Sequence, residues 1–380
     1  MPQGVSNVAR LLIADDQPDV LEALRLLIPR ERFALTLVTS PAALVEQLPK
    51  GTWDAVLMDL NYSRGTTSGD EGLDLLSRIR SERPNIPIVV MTAFGDIDLA
   101  VRAMRGGAQS FVQKPWDNQS LLQILDREVA AGRQAKEKTE LHTRERNDAL
   151  LIQRALMPAS LPETDAFRIA GAWQPAGTLG GDCYDVFTFA PNVMGLSIAD
   201  VAGKGLPAAL LMSSLQATVR AFALGASAPR DVSTSVNRLL CGQMIPGRFA
   251  TFAYVHLDAD RRQITYVNAG HNPPLLARPD GRVERLQATG TVLGVFSDAS
   301  YDQAAMTLDP GDRLLLYTDG ITEARDRHDE EFGEERLSAL LAQHRHLDAA
   351  TLHTALMKEI TQFASAGFQD DATLLVVEVR

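Results

Sequence analysis

Apolar runs of four or five residues punctuate the first third of the chain, and each is followed by a segment whose apolar positions recur every three or four residues. ARLLIADD precedes DVLEALRLLI, DAVLMDL precedes GLDLLSRIR, IPIVVMTAF precedes DLAVRAMRGG, and SFVQKP precedes LLQILDREV. Continuous Val, Ile and Leu suit strands buried on both faces, and the helical stretches supply the crossovers. Residues 9 to about 118 therefore predict βαβ units around a parallel sheet, a doubly wound α/β domain.

From 119 to 157 the pattern gives way to helix formers and charge, with no proline until Pro158, which predicts one long helix. Its apolar positions thin out between 135 and 149, so a solvated spacer and a dimerising coiled coil both remain compatible with it. Beyond Pro158 the alternation becomes that of antiparallel strands joined by tight turns: FTFAPNVMGLSIAD, TFAYVHLDADRRQITYVNAG and PLLARPDGRVERL. Helical stretches such as GLPAALLMSSLQATVRAFAL and ERLSALLAQH interleave with them, predicting an α+β domain with packed sheets.

A length of 380 residues fits this division into two domains and a linker better than one core. The formal net charge of −11 and the lack of a basic stripe speak against a nucleic-acid surface. No apolar run approaches the ~20 residues of a membrane span, and the first residues lack a secretion signal, so a cytoplasmic protein without a membrane partner is expected. Cys183 and Cys241 are too few for a disulfide framework or a thiolate metal site, and both read as small apolar residues.

Polar residues stand where the apolar runs of the first domain stop: Asp15 and Asp16 after RLLIA, Asp59 after AVLM, Thr92 after IVVM and Lys114 after SFVQ. Ligands of doubly wound sheets bind outside the carboxyl ends of the strands, so these five residues should converge on one edge. Three carboxylates together repel unless a hard cation joins them, and an oxygen-only site suits Mg2+. With that charge neutralised, one carboxylate can attack a phosphoryl group while Lys114 pairs with the phosphate and the Thr92 hydroxyl donates to it.

The second half repeats the theme. GGDCYD carries Asp182 and Asp185, LSIADVAGKG carries Asp200, LLLYTDG carries Asp319, and Asp370 and Asp371 precede ATLLVVEV. Acids at strand ends can meet in the cleft of a sheet sandwich, and an oxygen-only donor set favours Mg2+ or Mn2+ over Zn2+. Paired hard cations activate water for in-line attack on a phosphoryl group and need no nucleophilic Ser or Cys. Along a straight strand Asp182 and Asp185 face opposite sides, so both can be ligands only if the glycine pair before them bends the chain. Asp182 is the preferred ligand, with Asp185 expected to orient a neighbour or a coordinated water.

The Asp pair at 15 and 16, Asp59, Thr92 and Lys114-Pro115 resemble the receiver domain of two-component response regulators, over residues 9–125. The resemblance implies a flavodoxin-like, five-stranded parallel sheet, Mg2+ on Asp15, Asp16 and Asp59, and phosphorylation of Asp59 by a sensor histidine kinase. It also implies Thr92 and Phe111 as switch residues and a cis bond between Lys114 and Pro115. The segment NYSRGTTSGDEG after Asp59 is longer than the turn usual in that family.

Residues 160–380, through GGDCYD, ADVAGKGLPAAL, NAGHNPP, YTDGITEA and DDATLLVV, resemble the metal-dependent serine/threonine phosphatases (PPM) of the SpoIIE and sigma-regulatory branch. That resemblance implies an αββα antiparallel sandwich holding two Mn2+ or Mg2+. Asp182 and Asp200 match acids near the bridged metal pair, Val201 a carbonyl ligand, Asp319 and Asp370 acids of the first metal, and Asp371 a residue behind them. Where a better-known branch carries a histidine that protonates the leaving group, this chain reads VAGKG. Lys204 and His271 are the candidates for that role, although His271 in NAGHNPP reads more readily as a loop residue bonding backbone in a turn-rich segment.

The combined expectation is a response regulator whose helical linker, 126–157, joins a receiver to a phosphatase and makes a homodimer. The branch implies a phosphorylated anti-anti-sigma (STAS-type) protein as substrate in a partner-switching pathway. The rival reading is a phosphatase-like scaffold controlled by the receiver, against which stands the complete set Asp182, Asp200, Asp319 and Asp370.

Overall fold

The computed structural model of the protein describes residues 8–62, 69–92, 97–225, 228–365 and 367–380, so the middle of the long segment after Asp59, residues 63–68, lies outside the described residues. The chain divides into two compact units, residues 1–144 and 145–380.

In the first unit, β1 (Ala9–Ala14), β2 (Phe33–Val38), β3 (Ala55–Asp59), β4 (Ile88–Thr92) and β5 (Ser110–Gln113) form a parallel sheet in the order β2-β1-β3-β4-β5. The crossovers are α1 (Pro18–Leu27), α2 (Pro41–Gln47), α3 (Asp70–Glu82) and α4 (Ile97–Arg105). Alternate residues of the central strands enter different cores. Leu12, Val56, Met58, Ile88 and Val90 pack with Leu44, Leu75 and Leu99, whereas Leu11, Ile13, Leu57, Val89 and Met91 pack with Leu24, Leu121 and Leu125. Burial on both faces explains the unbroken apolar runs. The strand β2, FALTLV, is not among those runs because it is the sheet's edge, and only its two end residues are fully buried.

One helix, α5, runs from Asn118 to Leu156. Leu121, Leu125 and Val129 anchor its start in the first unit, and residues 136–148 are exposed.

The second unit holds two antiparallel sheets. One has the order β13-β10-β9-β8-β7 and is built from β7 (Cys183–Ala190), β8 (Val193–Val201), β9 (Ala250–Asp258), β10 (Gln263–Ala269) and β13 (Ala304–Thr307). The other has the order β12-β11-β14-β15-β6 and comprises β6 (Phe167–Gln174), β11 (Leu275–Ala277), β12 (Val283–Arg285), β14 (Arg313–Tyr317) and β15 (Ala372–Val379). The helices α6 (Leu206–Ala223) and α7 (Pro229–Cys241) cover the first sheet. After the one-turn α8 (Asp319–Thr322), α9 (Glu334–His344) and α10 (Ala349–Phe363) cover the second. Leu196, Ile198 and Val255 meet Leu314, Leu316, Leu375 and Val377 between the sheets, completing an αββα sandwich.

Candidate metal centres

The strand ends of the first unit bring the five predicted residues together. Asp15 follows β1, Asp59 ends β3, Thr92 ends β4 and Lys114 follows β5. Carboxylate oxygens of Asp15, Asp16 and Asp59 lie within 4.8 Å of one another, and among the described residues this is the one such group of three or more metal-ligating side chains. Lys114 Nζ donates to Asp15 Oδ2 at 2.6 Å and to Asp59 Oδ2 at 2.7 Å. The remaining Asp59 oxygen accepts from the backbone N–H of Leu60 and of Asn61. Burial, and in smaller measure the Asp15 charge, raise the Asp59 carboxyl against the pull of Lys114. Among the described residues Asp16 Oδ1 is buried without a hydrogen-bond partner, an oxygen that a cation beside it would satisfy. Thr92 is buried, Phe111 is half-exposed on β5, and the Lys114-Pro115 bond is cis.

In the second unit, acids from four segments converge. Asp182 precedes β7, Asp200 lies near the end of β8, Asp319 opens α8, and Asp370 and Asp371 precede β15. Two buried hydroxyls fix Asp182: Thr318 Oγ1 donates to its Oδ2 at 2.7 Å and Thr373 Oγ1 at 2.6 Å. Burial, then the charges of Asp319, Asp370 and Asp371, push the Asp200 carboxyl up to about 7. Burial, then Glu323 and Asp370, push Asp319 up to about 6. Carboxylates that resist ionisation this way lower their energy by taking up cations.

The two glycines of GGDCYD exist because the loop is pressed against these groups. A Cβ on Gly180 would lie 2.3 Å from Asp371 Oδ2, and one on Gly181 would lie 2.6 Å from the Val201 carbonyl oxygen and 3.2 Å from Asp200 Oδ1. A Cβ on Gly320 would fall 2.1 Å from the Asp371 carbonyl oxygen. Asp371 holds the loop in turn, accepting from Gly181 N at 2.6 Å and Ala176 N at 2.9 Å. The carbonyl oxygen of Val201 and the Asp200 carboxylate thus share a cradle that any side chain at 181 would fill, and its oxygen-only lining fits a hard divalent cation.

Asp185 is placed otherwise than expected. Its carboxylate is engaged bidentately by Arg220 of α6, at 2.7 and 2.8 Å, and accepts from Val186 N. Strand alternation sends it toward the helices while Asp182 faces the second sheet, so it anchors α6 and orients no acid of the cleft. His271 is buried: Nδ1 meets Thr251 Oγ1 at 2.7 Å, its backbone N–H donates to Asn268 Oδ1, and Nε2 has no hydrogen-bond partner among the described residues. Desolvation holds it down at about 4, a neutral ring packed in a corner. Lys204 lies at the rim, its Nζ 2.8 Å from Asp370 Oδ2.

Sequence reasoning missed Thr318, Thr373, Glu323 and Gln153. The Gln153 amide, from the last turns of α5, donates to Gly180 O at 2.6 Å and accepts from Gly180 N at 3.1 Å. Thr318 and Thr373 adjoin acids already singled out, whereas nothing in sequence distance ties Gln153 to a loop 27 residues on.

Comparison with known proteins agrees with this geometry. Residues 11–126 match the response regulator receiver domain, and residues 190–380 match Stage II sporulation protein E (SpoIIE). The phosphoserine phosphatase RsbU of Bacillus subtilis is 30% identical over 228 residues, 60% of this chain and 67% of RsbU. The phosphoserine phosphatase RsbP of the same organism is 30% identical over 179 residues, 45% of this chain and 44% of RsbP, so the chain spans less than half of that relative. The SiaA-PP2C domain of Pseudomonas aeruginosa superposes with a TM-score of 0.57 at 23% identity, covering 64% of this chain and 99% of the domain, a likeness of fold. The chain belongs to the SpoIIE family, a serine/threonine phosphatase domain joined to a response regulator receiver domain.

Proposed function

We propose that the protein is a response regulator in which phosphorylation of Asp59 by a sensor histidine kinase controls dephosphorylation of a phosphoserine or phosphothreonine protein. The observation that carries the reading is the cleft of the second unit. Four acid-bearing segments and the Val201 carbonyl close on a glycine cradle, with Asp200 and Asp319 raised first by burial and then by the neighbouring carboxylates. Asp182, Asp200, Asp319, Asp370 and the Val201 carbonyl hold two Mn2+ or Mg2+, while Thr318, Thr373 and Asp371 fix the orientation of the ligands. The cations supply Lewis-acid activation of water and of the phosphoryl group. In the receiver, Asp15, Asp16 and Asp59 hold Mg2+, Lys114 is poised for the phosphoryl group, and Thr92 and Phe111 report its arrival.

The substrate is a phosphorylated anti-anti-sigma (STAS-type) protein acting in partner switching, a reading supported by the likeness to RsbU and RsbP. The linker helix makes the protein a homodimer. Among the described residues no helix is long and apolar enough to cross a membrane, in keeping with a cytoplasmic place. The decisive experiment follows phosphate release from a phosphorylated STAS protein in Mn2+. Release by the wild type and none by Asp200→Asn supports the reading, and no release in either Mn2+ or Mg2+, with the receiver loaded with beryllofluoride, refutes it.

A further inference from the structure

We propose that Lys204 is the cation that clasps the outward oxygens of the substrate's phosphoryl group, and that Arg248 holds the loop that carries it. The inference rests on the reading of the cleft as a two-cation centre. Lys204 lies in the loop between β8 and α6, flanked by Gly203 and Gly205 at φ of +107° and +75°. Its ammonium donates to the carbonyl oxygen of Gln369 at 2.8 Å and pairs with Asp370 Oδ2 at 2.8 Å, which sets it over the rim of the acids. An ammonium has three donors, and the third has no partner among the described residues. The side chain stays 65% exposed. A lysine that served only to neutralise the acids would gain most by sinking among them, where the local dielectric is low. This one stops at the solvent edge, where a phosphoryl group entering the cleft arrives.

Arg248 is committed differently. Its guanidinium donates to the Ala202 carbonyl oxygen and packs so closely on Gly203 that a Cβ there would lie 1.2 Å from Nη1. It is spent on the backbone of the loop, so it positions Lys204 and does not reach the ligand itself. Gly205, the N-cap of α6, supplies no side-chain cap, and Pro207 in the first turn has no N–H, so the N–H groups of Leu206 and Ala208 are left without one.

The chemistry asks for such a group. A phosphoserine monoester enters as a dianion, and charge spreads over its non-bridging oxygens as phosphorus transfers to water. Cations bound deep in the cleft neutralise the oxygens that face them, and an oxygen facing the rim needs a donor from the protein. Lys204 supplies charge and a hydrogen bond there without giving up its proton.

The test uses the full chain and two titrations by calorimetry, Mn2+ into the protein and inorganic phosphate into the Mn2+-loaded protein. Lys204→Met should take up Mn2+ within about threefold of the wild type, bind phosphate at least ~10-fold more weakly, and lose a similar factor in kcat/KM on p-nitrophenyl phosphate. Lys204→Arg should recover phosphate binding to within roughly threefold, since the charge is kept. Arg248→Met should weaken phosphate binding as well, and adding Lys204→Met to it should cost little more, the mark of a residue acting through another. Phosphate binding in Lys204→Met equal to that of the wild type overturns the proposal, as does loss of Mn2+ binding in that variant, which would make Lys204 a support of the acids. A wild type that binds no Mn2+ would overturn the two-cation reading itself, and the proposal with it.

Discussion

At the residue scale, the unusual feature is how little room the cleft leaves. With Cβ positions 2.3 Å from Asp371 Oδ2 and 2.6 Å from the Val201 carbonyl oxygen, neither Gly180 nor Gly181 accepts even a methyl group without moving a ligand-bearing segment. Gly181→Ala should therefore reduce Mn2+ affinity by an order of magnitude or more, ~1.4 kcal/mol for each factor of ten, with the fold retained by circular dichroism. Mn2+ binding unchanged in that variant would show that the cradle is not the cation site. His271 yields a prediction of a different kind. Its pKa of about 4 lies below the ordinary 6.5, so the unfolded chain takes up a proton before the folded one does. Stability from this residue is whole above pH 6.5 and is lost as pH falls toward 4, on the order of 2 kcal/mol by pH 5. Denaturant midpoints at pH 7 and pH 5 should fall further apart for the wild type than for His271→Asn. Equal differences would mean that the ring does not titrate as a buried, neutral group.

At the element scale, alternation along β7 and the continuity of α5 decide what each residue can reach. Asp182 and Asp185 stand three apart, and the strand sends one to the hydroxyls of Thr318 and Thr373 and the other to Arg220. The last turns of α5 close on the GGDCYD loop through Gln153, whose amide satisfies both backbone groups of Gly180. Gln153→Ala leaves those buried groups unpaired and should lower the stability of the second unit by about 1–3 kcal/mol. Hydrogen exchange at Gly180 and Gly181 should speed up in parallel, and unchanged protection there would show that the clasp does not hold the loop. At the other end of the helix, Arg133 pairs with Asp54 at 3.0 Å, and a Cβ on Gly132 would come within 2.5 Å of Pro87 Cγ. Gly132→Leu should lever α5 from the receiver and lower its thermal midpoint by several degrees, as a clash costing ~1–3 kcal/mol does in a domain of this size.

At the scale of the whole molecule, α5 packs its start into the first unit through Leu121, Leu125 and Val129, its last turns bond Gly180 through Gln153, and residues 136–148 between them are exposed. A segment of this kind gains stability chiefly from what its ends are attached to, so a change at either end shifts its balance. Beryllofluoride should change kcat/KM for a phosphoprotein substrate in the wild type and leave Asp59→Asn unaffected. Equal response of both proteins would place the control elsewhere than the receiver aspartate.

What the sequence determined by itself is the part of this protein that local rules govern. Unbroken apolar runs required strands buried on both faces, alternation required sheets with two environments, and polar residues at strand ends marked where chemistry collects, because a parallel sheet or a packed sandwich gathers its strand ends whatever the loops between them do. The edge strand β2 escaped that reading because its half-exposed positions dilute the apolar signal. Only the tertiary structure could decide which neighbours each carboxylate meets. It turned Asp185 to Arg220, placed His271 in a dry corner, brought Gln153 to Gly180 and set Lys204 at the rim beside Asp370. These are contacts across sheets and loops, where a few ångströms of packing separate a ligand from a strut and sequence distance carries no information about either.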